Sequence, residues 1–363
     1  MSEPTHMSEP TDSRAVRPPT PREQIAFIRS FQRLLDEGGF VATYKYALLH
    51  AIADLCVLRG DDSGEPLELA TFEIADQFIR LYWPQVVPFV TTVEEAILRQ
   101  STGRQAKVVR EVRRAHERYD GSLARLERDA DAWRHLVRSI QRTIEVMPLW
   151  KLQTVGSDRL EFLYSNLDSG HSVRLNPGVA YCLRAFYPMI TDMIEGAWSH
   201  FVQRRNPRLL EQVTDLRSFL FGSERGSLAG PRGLLREVQQ GRCLYCEGPI
   251  NAPGHVDHFI PWRRYPLDLG HNFVLVHRRC NGSKSDLLAA EEHLERWVER
   301  NRACGADLED AFDQLGIQHD LAATLRVTEW AYGQIHRAGG QVWVLGRELR
   351  VLSARWEDVL AGR

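Results

Sequence analysis

Two kinds of metal chemistry fall within one stretch of this chain, Cys243 to Asp286, which reads CLYCEGPINAPGHVDHFIPWRRYPLDLGHNFVLVHRRCNGSKSD. Cys243 and Cys246 form one closely spaced pair, and His277 and Cys280 form a second. Three thiolates and an imidazole suit tetrahedral Zn²⁺, and four protein ligands leave no position open for water, so the expected zinc is structural. Asp257 and Asn281 supply hard oxygen donors suited to a Mg²⁺ or Mn²⁺ that keeps several waters. An imidazole is the side chain best suited to take a proton from water, so His258 is the candidate general base. A hydrolytic metal site inside a zinc-stapled module is the expectation.

Those residues need elements to carry them. The order is a cysteine knuckle, a strand HVDHFI, a loop with Pro261 and Pro266, a strand NFVLV, and a turn into a helix beginning near Asn281. Neighbouring strand residues point to opposite faces, so Asp257 and His258 are expected to flank a substrate from different sides at a strand end. Lys284, about one turn after Asn281, is expected to face the same groove and pair with a phosphate. Arg263, Arg264 and Arg279 make the stretch mildly basic and are further candidates for phosphate contact. His255 and His271 are additional candidates for metal or phosphate.

In the Asp-His of VDHFIP, the Asn of HNFVLV and the Cys-Asn-x-x-Lys-x-Asp of CNGSKSD, the segment resembles the HNH, or ββα-metal, endonuclease family. The resemblance covers only this segment, and it departs from the commonest zinc pattern by offering His277 where that pattern has a cysteine. It implies a ββα-metal fold, Asp257 and Asn281 as ligands of the catalytic Mg²⁺ or Mn²⁺, His258 as the base, and Asn272 as an amide bracing the loop that carries the base. The physics agrees with such a use. A phosphate diester repels nucleophiles and has a poor leaving group, so a cation must neutralise developing charge while a base deprotonates water. A non-catalytic zinc-stabilised nucleic-acid-binding module is the competing reading, although a binder has no need of Asp257, His258 and Asn281 together. Cleavage of RNA rather than DNA is a third.

The rest of the chain reads as a mainly α body. With 363 residues it exceeds one ordinary domain, and 43% hydrophobic with 26% charged residues is a globular composition. The expected organisation is a disordered Pro-rich leader over 1–20, a mainly helical domain over 21–222, the HNH module over 234–300, and C-terminal helices over 301–363 packing on the body. Within the helical domain, Gly38 and Gly39 break two helices, Thr71 to Tyr82 is a third, and Val108 to Ile144 is one long helix or two broken near Gly121. Ala180 to Arg204 reads as one more helix, and Phe221 to Gly233 as a linker. Short alternating pieces between Trp150 and Leu175 predict a small β-meander or hairpin.

Cys56 and Cys182 read as small apolar residues, and Cys304 as a helix-end residue. Trp83, Trp133, Trp150 and Trp198 fit a core better than base stacking, and the mixed charges of Val108 to Asp120 fit a solvated helix face. Few, scattered cysteines suit a reducing cytoplasm, and no run is apolar enough for a membrane span. A net charge of −2 gives no global attraction to nucleic acid, so contact with DNA must be local. One such module cuts one strand. A homodimer or a partner protein in antiviral defence would supply the second cut or the control of cleavage.

Overall fold

The computed structural model describes residues 17–90, 95–165, 171–210, 215–222, 230–266 and 268–362. Most of the expected leader (1–16) and the middle of the expected linker (223–229) lie outside the described residues.

Helix α1 (Pro21–Glu37) opens on a capping box, in which the Thr20 hydroxyl accepts from Glu23 N–H and the Glu23 carboxylate accepts from Thr20 N–H. It stops at Gly38, where the chain becomes extended. Helix α2 (Tyr44–Arg59) is buried along its whole length from Lys45 to Leu58. A helix covered on all sides is the centre of a bundle. Helices α3 (Thr71–Tyr82) and α6 (Tyr187–Arg205) pack on it, α5 (Ala130–Val146) packs on α3, and α4 (Lys107–Arg118) lies against α5. Val108, Val109 and Val112 form the buried stripe of α4, and its charges face outward.

The stretch over 108–144, expected as one long helix or two broken near Gly121, is broken near Gly121 and once more at Asp129. Gly121 takes a left-handed φ of +75°, and Asp129 ends the short helix Leu123–Arg128 while its carboxylate caps α5. The expected helix over 180–204 is two, Val179–Ala185 and α6, separated at Phe186; Pro188, lacking an N–H, sits in the first turn of α6 where none is needed. Of the small meander or hairpin expected between Trp150 and Leu175, Thr154–Val155 and Asp158–Arg159 make a minimal hairpin, but Ser172–Arg174 pairs antiparallel with Glu68–Ala70, a hundred residues away in sequence. Alternation specifies which side of a strand is buried, not which strand it joins.

Downstream, a helix over Gly230–Val238 begins inside the expected linker. Strands β1 (His255–His258) and β2 (Phe273–Val276) pair antiparallel, with Asp257 opposite Val274 and His258 opposite Phe273. Helix α7 (Arg278–Lys284) follows, then α8 (Glu291–Ala303) and α9 (Leu321–Arg337). The C-terminal segment is not helical throughout: strands β3 (Gln341–Leu345) and β4 (Glu348–Val351) form a hairpin before helix α10 (Arg355–Ala361). The Trp343 N–H donates to Leu288 O and the Ala290 N–H to Trp343 O, so β3 is stitched to the chain entering α8. One continuous cluster of buried apolar side chains runs from Phe27 to Val359. Among the described residues no helix is long and apolar enough to cross a membrane.

Candidate functional site

The four sulfur and nitrogen ligands converge. The Sγ atoms of Cys243, Cys246 and Cys280 and a ring nitrogen of His277 lie within 4.8 Å of one another. Cys243 and Cys246 come from the knuckle; His277 is the last residue before α7, and Cys280 sits in its first turn. The imidazole orientation answers which nitrogen faces inward. Nε2 lies 3.1 Å from Pro249 O, which can only accept, so Nε2 carries the proton and Nδ1, 3.2 Å from Cys246 Sγ, turns toward the thiols. Burial pushes the Cys280 thiol up to about 12, and neighbouring Cys243 and Cys246 add to the effect. Crowded thiols that resist a shared ionised state are relieved by a divalent cation, so this Cys3His group can bind a metal ion such as zinc.

Asp257 and His258 leave β1 on opposite sides. The Asp257 carboxylate accepts from Tyr245 Oη at 2.7 Å and pairs with Lys284 Nζ at 3.2 Å, both through Oδ2. Lys284 is fully buried, donates to the His258 carbonyl at 3.0 Å, and lies over the Tyr245 ring. Its expected exposure to phosphate is therefore corrected. It ties α7 beneath β1, and burial, only partly offset by Asp257, pulls its pKa down. Helical spacing placed Lys284 on the right face but said nothing of depth. Asn281 lies one turn earlier on α7 and is half-buried.

The His258 imidazole packs edge-on to Phe273 and against Trp262, and its Nε2 lies 2.5 Å from Asp268 Oδ1. An ionised carboxylate only accepts, so Nε2 holds the proton and Nδ1 keeps the lone pair. Sequence reasoning missed Asp268. Its only signal was a carboxylate ten residues after the histidine, in a loop whose path the chain alone does not specify. Asn272 holds the other end of that loop: its Oδ1 accepts from Ile260 N–H at 2.7 Å and its Nδ2 donates to Ile260 O at 3.0 Å. Helix α8 supports this turn from below. Trp297 Nε1 and Arg300 Nη2 both donate to His271 O, and the Trp297 ring stacks on Phe259 at 4.8 Å.

The remaining candidates scatter. Arg263 is exposed, 3.6 Å from Asp286, and Arg279 is exposed on α7, while Arg264 is partly buried, which pulls its pKa down. His255 is exposed. His271 is fully buried against Phe312 and His319, and burial lowers it to about 4, so it sits neutral in the core. Cys56, Cys182 and Trp198 are buried, and Cys304 ends α8, as expected.

Beyond His258, Trp262 and Asp268 line one wall of a cleft of about 820 Å³ whose other wall is the helical body. There His50 on α2 sits between two carboxylates, Asp54 Oδ2 at 3.0 Å and Glu195 Oε1 at 3.2 Å. Burial opposes its charge, but Asp54 and Glu195 outweigh burial and raise it to about 10.

The helical body is where similarity to known proteins appears. Residues 23–216, over half of the chain, match a family described as "Domain of unknown function (DUF8808)". The chain belongs to the DUF8808 family. The DUF8808 region runs from the first turn of α1 through α6 and ends before the Cys243 knuckle. No curated protein and no solved structure matches the chain.

Proposed function

We propose that the protein is a metal-dependent HNH-type endonuclease that hydrolyses phosphodiester bonds in DNA, with the DUF8808 region governing what is cut, in a setting such as restriction of foreign DNA. The observation that carries this reading is the His258–Asp268 contact at the end of the strand that also bears Asp257, directly above the helix that bears Asn281. Asp257 Oδ1, the oxygen not used by Tyr245 and Lys284, and the Asn281 amide would hold a Mg²⁺ or Mn²⁺, which supplies charge neutralisation at the phosphate when bound.

The chain's own residues do the rest. His258 Nδ1 accepts a proton from water as the water oxygen bonds to phosphorus and the bond from phosphorus to the leaving oxygen breaks; solvent protonates that oxygen. Asp268 holds the imidazole in the tautomer this requires and stabilises the imidazolium that forms. Asn272 fixes the strand end through Ile260, and Lys284 orients Asp257. The zinc cage holds the knuckle against α7.

Plasmid nicking in Mg²⁺ or Mn²⁺ tests the reading. The wild type is expected to convert supercoiled to open-circular DNA, and His258→Ala to do so at least about a hundredfold more slowly. Equal rates would remove the assigned base. RNA cut in preference to DNA on a substrate panel would reassign the substrate. Binding of DNA without any nicking would leave Arg263 and Arg279 as the contacts of a binding module.

A further inference from the structure

The cleft between the DUF8808 helices and the loop after His258 is of a size that holds small organic groups. Its character follows from what lines it. The half-buried Trp262 offers flat aromatic surface and the largely buried Trp83 and Tyr265 complete the lining, while the side-chain amides of Gln77 and Gln318 also line the cleft, donating to Asp76 and Glu127. At its floor is the buried cluster of His50, Asp54 and Glu195, braced by Tyr187 Oη donating to Asp54 at 2.6 Å and Arg217 Nε donating to Glu195 at 2.8 Å. Charges held out of water at a cavity wall are costly for stability alone, and they mark a site when they cluster beside a void.

The charge balance narrows the ligand. The lining charges are already matched: Asp54 and Glu195 hold His50, Glu195 also takes Arg217, Asp268 meets His258, and Arg80 is paired with Asp76 and Glu127. Phosphate finds neither lining cation, His50 nor Arg80, free to receive it. A flat, uncharged heteroaromatic ring with polar edges needs neither. Location narrows it further, because Trp262 and Asp268 both line the cleft and touch the His258 imidazole.

We propose that this cleft receives a nucleobase, either everted from the strand whose phosphate lies at His258 or presented as a free nucleoside. The ring stacks on the tryptophans, and its polar edge faces the amides and carboxylates of the helical body. The everted case rests on the phosphodiester-cutting reading above; the free-nucleoside case does not. In the everted case the DUF8808 helices read a base while the zinc module holds the backbone, which gives the helical region a role in specificity; in the free case the same helices sense a nucleoside.

Photo-crosslinking of the full-length protein tests this, with 5-iododeoxyuridine used both as the free nucleoside and inside a short oligonucleotide. Adducts are mapped by mass spectrometry, and nicking is assayed in parallel. Adducts on Trp83, Trp262 or Tyr265 are expected, falling at least about tenfold in the cleft-filling variants Gln77→Trp and Gln318→Trp. Adducts from both probes assign the site to nucleosides in general, and adducts from the oligonucleotide alone assign it to an everted base. The proposal is overturned if neither probe labels those three residues, or if labelling persists unchanged in both filled variants. The variants lie on different segments of the chain, so one that does not fold leaves the other to decide. Nicking without cleft adducts would overturn the cleft and leave the nuclease; adducts without nicking would do the reverse.

Discussion

A histidine is only as useful as the group that fixes its proton, and here that group is Asp268. Its contact with His258 Nε2 leaves Nδ1 as the only basic ring nitrogen. Asp268→Asn keeps the shape but can donate as well as accept, so the favourable tautomer is no longer enforced. Nicking by Asp268→Asn is expected to fall about 10- to 100-fold, with the pH profile displaced, while the melting temperature barely moves. Unchanged kinetics would make the contact incidental. Lys284 calls for the opposite outcome. Its ammonium is fully buried against Asp257, and Lys284→Met leaves that carboxylate without its partner. A loss of about 3 kcal/mol in chemical denaturation is expected. Were Lys284 a phosphate contact instead, stability would hold and only DNA affinity would drop.

Among the elements, the Cys3His group, which can bind a metal ion such as zinc, and α8 both lie where they can hold the β1–β2 hairpin. Two strands of four residues are too short to be stable alone, so the site depends on what staples them. Elemental analysis of purified protein is expected to find one zinc per chain, and Cys280→Ser to lose it. Hydrogen exchange at Val256 and Leu275 should then accelerate by orders of magnitude, because metal binding is folding energy in a small module. Exchange that stays slow in the metal-free variant would assign the stapling to α8. The carbonyl of His271 collects donors from Trp297, Arg300 and Asn301, which is the physical basis for that alternative.

At the scale of the whole molecule, the feature to explain is a protonated histidine in the interior of the DUF8808 region. His50 faces Asp54 and Glu195, with Tyr187 and Arg217 behind them and Phe221 stacked on its ring. Its folded-state pKa, about 10, lies above the ordinary 6.5. The stabilisation it gives is therefore complete below about pH 6.5 and is lost as pH rises toward 10. The melting temperature of the wild type should decline across that window, and that of His50→Gln should decline less. Parallel curves would mean the imidazole is not charged in the folded protein.

What could be read from the chain alone was chemistry at short range. The spacing of Cys243, Cys246, His277 and Cys280 was enough to foresee a cluster able to hold a metal ion, since ligands on a knuckle and a helix turn are placed by local geometry. Helical periodicity placed Thr71 to Tyr82 to the residue, because a buried stripe and a helix are the same pattern. Depth and distant partners were settled only by tertiary packing. Lys284 went inward because Asp257 and Tyr245 wait beneath the strand, Ser172–Arg174 found Glu68–Ala70 across the bundle, and Asp268 reached His258 through a loop held by Asn272. Each of these is a contact between segments whose separation is set by how the chain closes on itself, a property that neighbouring residues do not encode.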